Sequence, residues 1–563
     1  MKIFTLFNFV LIFVNLELIM SGKCGSDQLK LKPKALNLTE KIKPNLKKIT
    51  ADSYTPISIG FDFTSLERPR TMSSSTFSKV KSLLKETREE FSKFLKINHE
   101  SVSLEGALEF LLDACVLDKI GQDYENFLVD NDLIIFPMFS EELGYGVLAA
   151  ATNCITLTKN SRPVAGVLYI NSSLNFDSTN TDLYMKNLLL HEISHILAFS
   201  PSLFSKFNMN KTIGSTSYIV SENVLAKAKE HFGCDSLVGV PMENQGGKGS
   251  AGSHWESRYM LGDYMISTDY PDMAISDITL ALFEDTGLYK VNYYSGGLFK
   301  FGKNKGCDFM EKKCMENQKA TFKEEFCEVP SEPRCGSSKT IKSSCYIVDY
   351  YSNLPQSYQY FSDPKKGGFL AANYCPVPFE FYPSNYYYNK HCQVGIVDPS
   401  YAYGEIIGEK SFCFMSSLSN SPGNDQNSSI PVCYEVECDT SNSILNVKIG
   451  SETITCPTEG GMLYPNSGVY GSIDCPKYSD ICTSSDGFVC NEMFKCLSDL
   501  AEKDNYNSQV TYYDYDGPSI SGYGNDDDDD EDDDIYPVRT TKSCNIKFNL
   551  SFLLFCLLIF IEF

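Results

Sequence analysis

Apolar positions divide the chain into stretches of different period. The first twenty residues, MKIFTLFNFVLIFVNLELIM, carry Lys2 and then an apolar run, and the small residues Ser21 and Gly22 follow. This predicts a secretory signal peptide over residues 1–22. Residues 23–53 are Lys-rich, hold two prolines and show no period, which predicts a propeptide rather than a folded domain. From Tyr54 the pattern becomes regular. Ile57, Ile59, Phe61 and Phe63 alternate as in a strand. Phe77, Val80, Leu83, Leu84, Phe91, Phe94 and Leu95 recur with helical spacing. Apolar runs at Asp132–Phe139 and Val164–Ile170 predict two further strands, and a helix is expected over Asp182–Ala198. This order predicts an α+β fold, with the last helix packed on a twisted sheet. From Cys307 the long helical periods stop and Cys, Tyr and Ser rise.

Length and composition extend this picture. The chain has 563 residues, which predicts roughly two to four domains. The expected division is signal peptide 1–22, propeptide 23–53, a first catalytic segment 54–200, an inserted and completing segment 201–306, a Cys-rich β/loop domain 307–498, an acidic stalk 499–545 and a hydrophobic tail 546–563. Net charge is −23, but nine acidic residues fall in Asp526–Asp534 alone, and such runs are normally solvated. No basic face indicates nucleic-acid binding. The tail Leu550–Phe563 is short for a bilayer span, which needs about 20 residues. It predicts a GPI-attachment signal after Ser543, Cys544 and Asn545, or else a short membrane anchor. The expected location is the outer face of the cell surface, or secreted. Sequons at Asn37, Asn171, Asn210 and Asn427 fit export.

Export means oxidising conditions, so most of the 21 cysteines should pair. From Cys24 to Cys496 there are 19, an odd number, and Cys24 is the isolated one. A thiolate is a good zinc ligand, so Cys24 could cap a metal centre until the propeptide is removed. The alternative is that signal cleavage at Gly22-Lys23-Cys24 removes it.

The chemistry concentrates in LLLHEISHILAFS, Leu188–Ser200. His191 and His195 are one helical turn apart on one face, with Glu192 beside the first. This is the H-E-x-x-H arrangement of zinc-dependent proteases. A catalytic zinc takes three protein ligands and leaves a fourth position open. The chain has six histidines: His99, His191, His195, His231, His254 and His391. The usual close position for a third ligand holds Pro201, so the candidates downstream are His231 and His254. His254 lies in GSAGSHWESRYMLGDYM, before the only Trp, and Met265 follows eleven residues later. A Met in a turn beneath the metal matches the Met-turn of metzincins, and the joint order favours His254. Three neutral imidazoles would leave a zinc ion its full charge, and Glu192 is then placed to act as general base.

HEISHILAFS, SHWESRYMLGDYM, SDITLALFEDTGLYKVNY and FGKNKGCDF, in that order, resemble the leishmanolysin family of surface metalloproteases. The similarity runs from about residue 54 to 496. It implies a metzincin-type catalytic domain, one Zn2+ per chain held by His191, His195 and His254 across an insertion, Glu192 as the catalytic residue, and protein or peptide substrates. KCGSD around Cys24 is similar to the family's propeptide cysteine motif, without its flanking His. Position 198 is Ala where the family has Gly. A non-glycine residue held in the left-handed region there would cost about 1–2 kcal/mol. The rival reading is a non-catalytic surface adhesin or antigen on the same scaffold.

Overall fold

The computed structural model describes residues 54–99, 108–117, 131–176, 182–293, 299–379, 390–393, 403–420, 429–482 and 510–516, apart from a few positions inside them, and the two short strands at 23–24 and 34–36. The described residues fall within one compact unit. Residues 519–563, with the acidic run and the apolar tail, lie outside the described residues, as do residues 1–22. Among the described residues, no helix is long and apolar enough to cross a membrane.

The central sheet explains the alternation in the sequence. Strands β1 (Lys23–Cys24) and β2 (Lys34–Leu36) precede β3 (Ile59–Phe61), β4 (Leu133–Ser140), β5 (Val147–Leu157) and β6 (Pro163–Asn171). β3, β4 and β6 run parallel, and β5 returns antiparallel beside β6. β1 and β2 lie parallel along the other edge of β5. Both faces of the sheet are covered. On one face Leu133, Ile135, Leu168 and Ile170 join α1 (Ser74–Phe94) and α3 (Asp182–Leu197) in the main core. On the other, Ile134, Phe136, Ala165 and Val167 meet α2 (Leu108–Cys115). Cys115–Cys154 ties α2 to β5. α1 begins at Ser73, whose hydroxyl accepts from Thr76 N and satisfies one end-turn donor.

β5 and α2 are not among the elements expected from the sequence. The β5 residues VLAAATNCITL are buried on nearly every position, so the period-2 signal is absent. β5 is nonetheless the strand that lies against α3: Asn153 Nδ2 donates to Ile196 O at 3.4 Å.

α3 is held by packing. Every residue from Leu189 to Leu197 is buried. Leu189, Leu190, Ile193, Ile196 and Leu197 together stabilise it by roughly 7–15 kcal/mol before the entropy of ordering. A Cβ on Gly166 would come 2.5 Å from Ile196 Cγ2, so only glycine on β6 admits the helix at this depth.

The segment after α3 supplies α4 (Pro201–Lys206), a hairpin, and α5 (Glu222–Phe232), which ends in left-handed Gly233. Then follow α6 (Ser257–Met260) and α7 (Asp277–Asp285). The core around α3 also includes Phe309, Phe326, Phe369, Val377 and Phe379. A separate core of Phe412, Phe414, Val432, Tyr434, Leu445, Val447 and Ile473 lies within a six-stranded sheet between Ser411 and Cys475. Among the described residues eight disulfides staple the chain, six of them among cysteines 314–482. Cys490 and Cys496 lie outside the described residues.

Residues 510–516, expected within a solvated stalk, return to the first sheet. Tyr515 N donates to Phe61 O at 3.0 Å and Phe63 N to Tyr515 O at 2.8 Å, so the segment continues the sheet beyond β3. Asp514 pairs with the buried Arg88 of α1, whose guanidinium also stacks on Tyr512. Of the expected glycosylation sites, Asn210 is exposed, whereas Asn171 donates Nδ2 to Val147 O at 2.8 Å. Asn37 and Asn427 lie outside the described residues.

Candidate metal centre

His191 and His195 project from α3, and His254 reaches them from the loop before α6. The three Nε2 atoms form a near-equilateral triangle: 3.0 Å between His191 and His195, and 3.2 Å from each to His254. The His191 and His254 rings are nearly parallel at 16°, and His195 stands across both. All three are buried.

The tautomers follow from the other ring nitrogens. His191 Nδ1 lies 2.6 Å from Tyr264 O, His195 Nδ1 2.6 Å from Phe199 O, and His254 Nδ1 2.8 Å from Ser250 O. A carbonyl only accepts, so each Nδ1 carries the proton and each Nε2 presents a lone pair. Three lone pairs therefore face one another with no proton between them. Burial pushes His191 down to about 4 and His254 to about 3, and His195 well below its ordinary value, so protonation does not relieve the repulsion at neutral pH. A cation does. Tetrahedral zinc–nitrogen bonds of about 2.0–2.1 Å would hold the nitrogens roughly 3.3–3.4 Å apart, close to the spacing seen. The donor set fits zinc.

Local structure sets each ring. α3 ends without a left-handed residue: Ala198 is absent from the positive-φ residues. Instead Ala198 N and Phe199 N both donate to Ser194 O at 2.9 Å, which turns Phe199 O back onto His195. The strain expected of Ala198 does not arise, because the backbone takes another exit. Ser200 then caps α4, with Pro201 at its first turn. His254 is fixed through the backbone, with Glu243 N donating to His254 O at 2.9 Å and Trp255 N to Met265 O at 3.0 Å.

Met265 lies fully buried in a tight turn, next in the chain to Tyr264, whose carbonyl meets His191. Asp263, also fully buried, builds that turn. It accepts from Met265 N at 2.7 Å, Thr279 Oγ1 at 2.8 Å and Ser276 N at 3.2 Å. Burial pushes its carboxyl up to about 6. Tyr264 contributes twice, through its carbonyl to His191 and its hydroxyl, 3.0 Å from Ser194 Oγ. Trp255 Nε1 donates to Thr279 Oγ1 at 2.8 Å, and its ring stands edge-on to Phe199. Asp263, Tyr264 and Thr279 carry no metal-ligand signature and were not among the expected site residues. A carboxylate two residues before Met265 is the signal that marks Asp263.

The remaining candidates lie elsewhere. Glu192 is fully buried on α3 between the two histidines. His231 Nε2 donates to Phe301 O at 2.9 Å, and the ring packs on Phe299, so it belongs to the core. His99 pairs with Asp132 at 2.7 Å, and His391 is buried in the C-terminal part. Among the described residues, His191, His195 and His254 form the one group able to hold a metal ion. For Cys24 only the backbone is described, in β1 beside Val147 and Ala149 of β5.

The family model for peptidase M8, leishmanolysin, matches residues 80–487. The chain belongs to the leishmanolysin family. It is 27% identical to the leishmanolysin homolog of Crithidia fasciculata over 398 residues, covering 66% of this chain and 58% of that protein. It is 29% identical to leishmanolysin of Leishmania major over 388 residues, covering 66% and 63%. The leishmanolysin-like peptidase of Caenorhabditis briggsae is 26% identical over 426 residues, covering 61% and 64%. The chain thus spans less than two thirds of the length of these relatives. The family implies a zinc cofactor, in keeping with the three-histidine group.

Proposed function

We propose that this chain is a metzincin-type zinc metalloendopeptidase that hydrolyses peptide bonds of proteins at the cell surface or after secretion. The observation that carries the reading is the convergence of three buried, Nδ1-protonated imidazoles with their Nε2 lone pairs toward one point. His191, His195 and His254 would hold one Zn2+. When bound, the ion supplies a Lewis acid and lowers the pKa of water in its open position towards about 7. Glu192 accepts the proton of the attacking water and returns it to the leaving amine. Tyr264 O, Phe199 O and Ser250 O keep the imidazoles in the ligating tautomer. Met265 and the Asp263 turn form the floor.

Cys24 would act as a zymogen switch. Its strand runs beside β5, the strand against α3, which favours a propeptide that stays at the site until it is cut away. Residues 307–498 would be the Cys-rich part of the chain, part of it packed on the core around α3, and the tail from 546 would serve as a GPI-attachment signal or a short membrane anchor.

The test is Glu192→Gln in propeptide-free protein. The variant is expected to fold, to bind one zinc per chain, and to lose at least about 100-fold in kcat on an unfolded protein substrate. Turnover like the wild type would overturn the assignment. If the wild-type protein neither binds zinc nor cleaves, the adhesin reading replaces this one.

A further inference from the structure

A second polar site lies where the loop Phe299–Lys305 meets the disulfide-rich part of the chain. A cavity of about 320 Å3 is lined by that loop, by the turn around Ser337 and Lys339, and by the strand residues near Phe414 and Asp474. It shares no residue with the three-histidine group. Its walls are stiff. Both ends of the Cys335–Cys413 disulfide line it, and so does Cys475, which is bonded to Cys456.

Charge in this cavity is poorly matched. Among its acids, Glu324 pairs with Lys305, Glu325 lies 3.6 Å from the same lysine, and Glu459 lies 3.9 Å from Lys477. Among the described residues, Asp474 and Asp480 form no ion pair. Among the cations, Lys303 donates to Ser479 O at 2.8 Å, and the charge of Asp480 acts on it without a direct ion pair among the described residues. Lys300 is 7% exposed, and among the described residues its buried Nζ has no hydrogen-bond partner. Lys339, placed at the turn with φ of 62°, makes no ion pair among the described residues either. Burial, then the charge of Lys303, pushes the Lys300 ammonium well below its ordinary value. Burial also lowers Lys303 and Lys339. Glu325, pushed up to about 7 by burial, gives only part of its charge at neutral pH. A buried ammonium without an acceptor is costly. A ligand that brings negative charge against Lys339, Lys300 and Lys303 relieves that cost, and the volume suits a small molecule.

We infer that this cavity binds the oxyanion group, phosphate or carboxylate, of a small molecule. The test uses the full secreted chain in chloride buffer. Inorganic phosphate and, in a parallel arm, acetate are titrated at fixed ionic strength, with binding followed by calorimetry and thermal midpoint. Saturable binding is expected in at least one arm, and the arm that responds names the oxyanion. Lys339→Met should weaken it at least tenfold. Lys300→Met should weaken it as well, while raising the midpoint in chloride alone, because the buried charge is gone. Zinc-depleted protein should bind equally well, which separates this site from any anion on the metal. Absence of a saturable response in both arms would overturn the inference, as would binding unchanged in both lysine variants.

Discussion

Thr279→Val isolates the support beneath the metal centre. The Thr279 hydroxyl accepts from Trp255 Nε1 and donates to Asp263 Oδ2, each at 2.8 Å, and all three residues are fully buried. Valine has nearly the same shape, so no cavity opens. The change leaves the indole N–H without an acceptor, at about 1–3 kcal/mol, and deletes a hydrogen bond to a carboxyl group, at about 1.5–3 kcal/mol. Together these predict a loss of about 3–5 kcal/mol. Thr279→Ser is the control: it keeps the hydroxyl and loses one methyl, at about 1 kcal/mol. Trp255 is the only tryptophan in the chain, so its emission reports on this region alone. Denaturant unfolding followed by Trp emission should rank wild type above Ser and Ser above Val, with more than about 2 kcal/mol between the last two. Zinc affinity should fall about tenfold in the Val variant, because the Asp263 turn positions Tyr264 O against His191. A Val variant as stable as Ser, with unchanged zinc affinity, would refute the argument that this hydroxyl links the two elements.

Other outcomes follow from the same structure. Asp514→Ala leaves the buried Arg88 without its carboxylate and should cost about 3–5 kcal/mol by denaturant unfolding, with earlier proteolytic cleavage near residues 510–516. Glu325 has its folded pKa raised from 4.5 to about 7, so its stabilising contribution is complete below about pH 4.5 and is lost as pH rises through 7. In phosphate-free buffer, Glu325→Gln should therefore flatten the pH–stability curve over that window and be more stable than wild type at pH 8, by at most about 3 kcal/mol. A parallel pair of curves would show that the carboxyl is not buried in its charged form. Cys24→Ser in the precursor should give peptidase activity without propeptide removal; equal, negligible activity in both precursors would eliminate the switch.

Much of this molecule is legible one residue at a time. The signals for β3, α1, β4, β6 and α3 are local periods, set by which faces are buried, and the structure contains all five. The His191–His195 pair is equally local, since a helix places residues four apart on one face. The cysteine crowding after 307 announces the disulfides, although it says nothing of their partners. What spacing leaves undecided is whatever depends on distant segments meeting. β5 has small and apolar residues buried on both faces, so its alternation disappears, yet it lies against α3. His231 and His254 are both plausible ligands by order in the chain. Only the fold turns one onto Phe301 O and the other toward His191 and His195. Ala198 breaks a family rule whose cost depends on a backbone angle that no residue type states, and the angle proves ordinary. Asp263, Thr279 and Lys300 acquire meaning from burial alone. The sequence by itself therefore determined the elements and the chemistry on α3. The tertiary structure decided which histidine meets His191 and His195, which ring nitrogens face carbonyls and what packs around them, because desolvation and hydrogen-bond pairing arise between segments far apart in the chain.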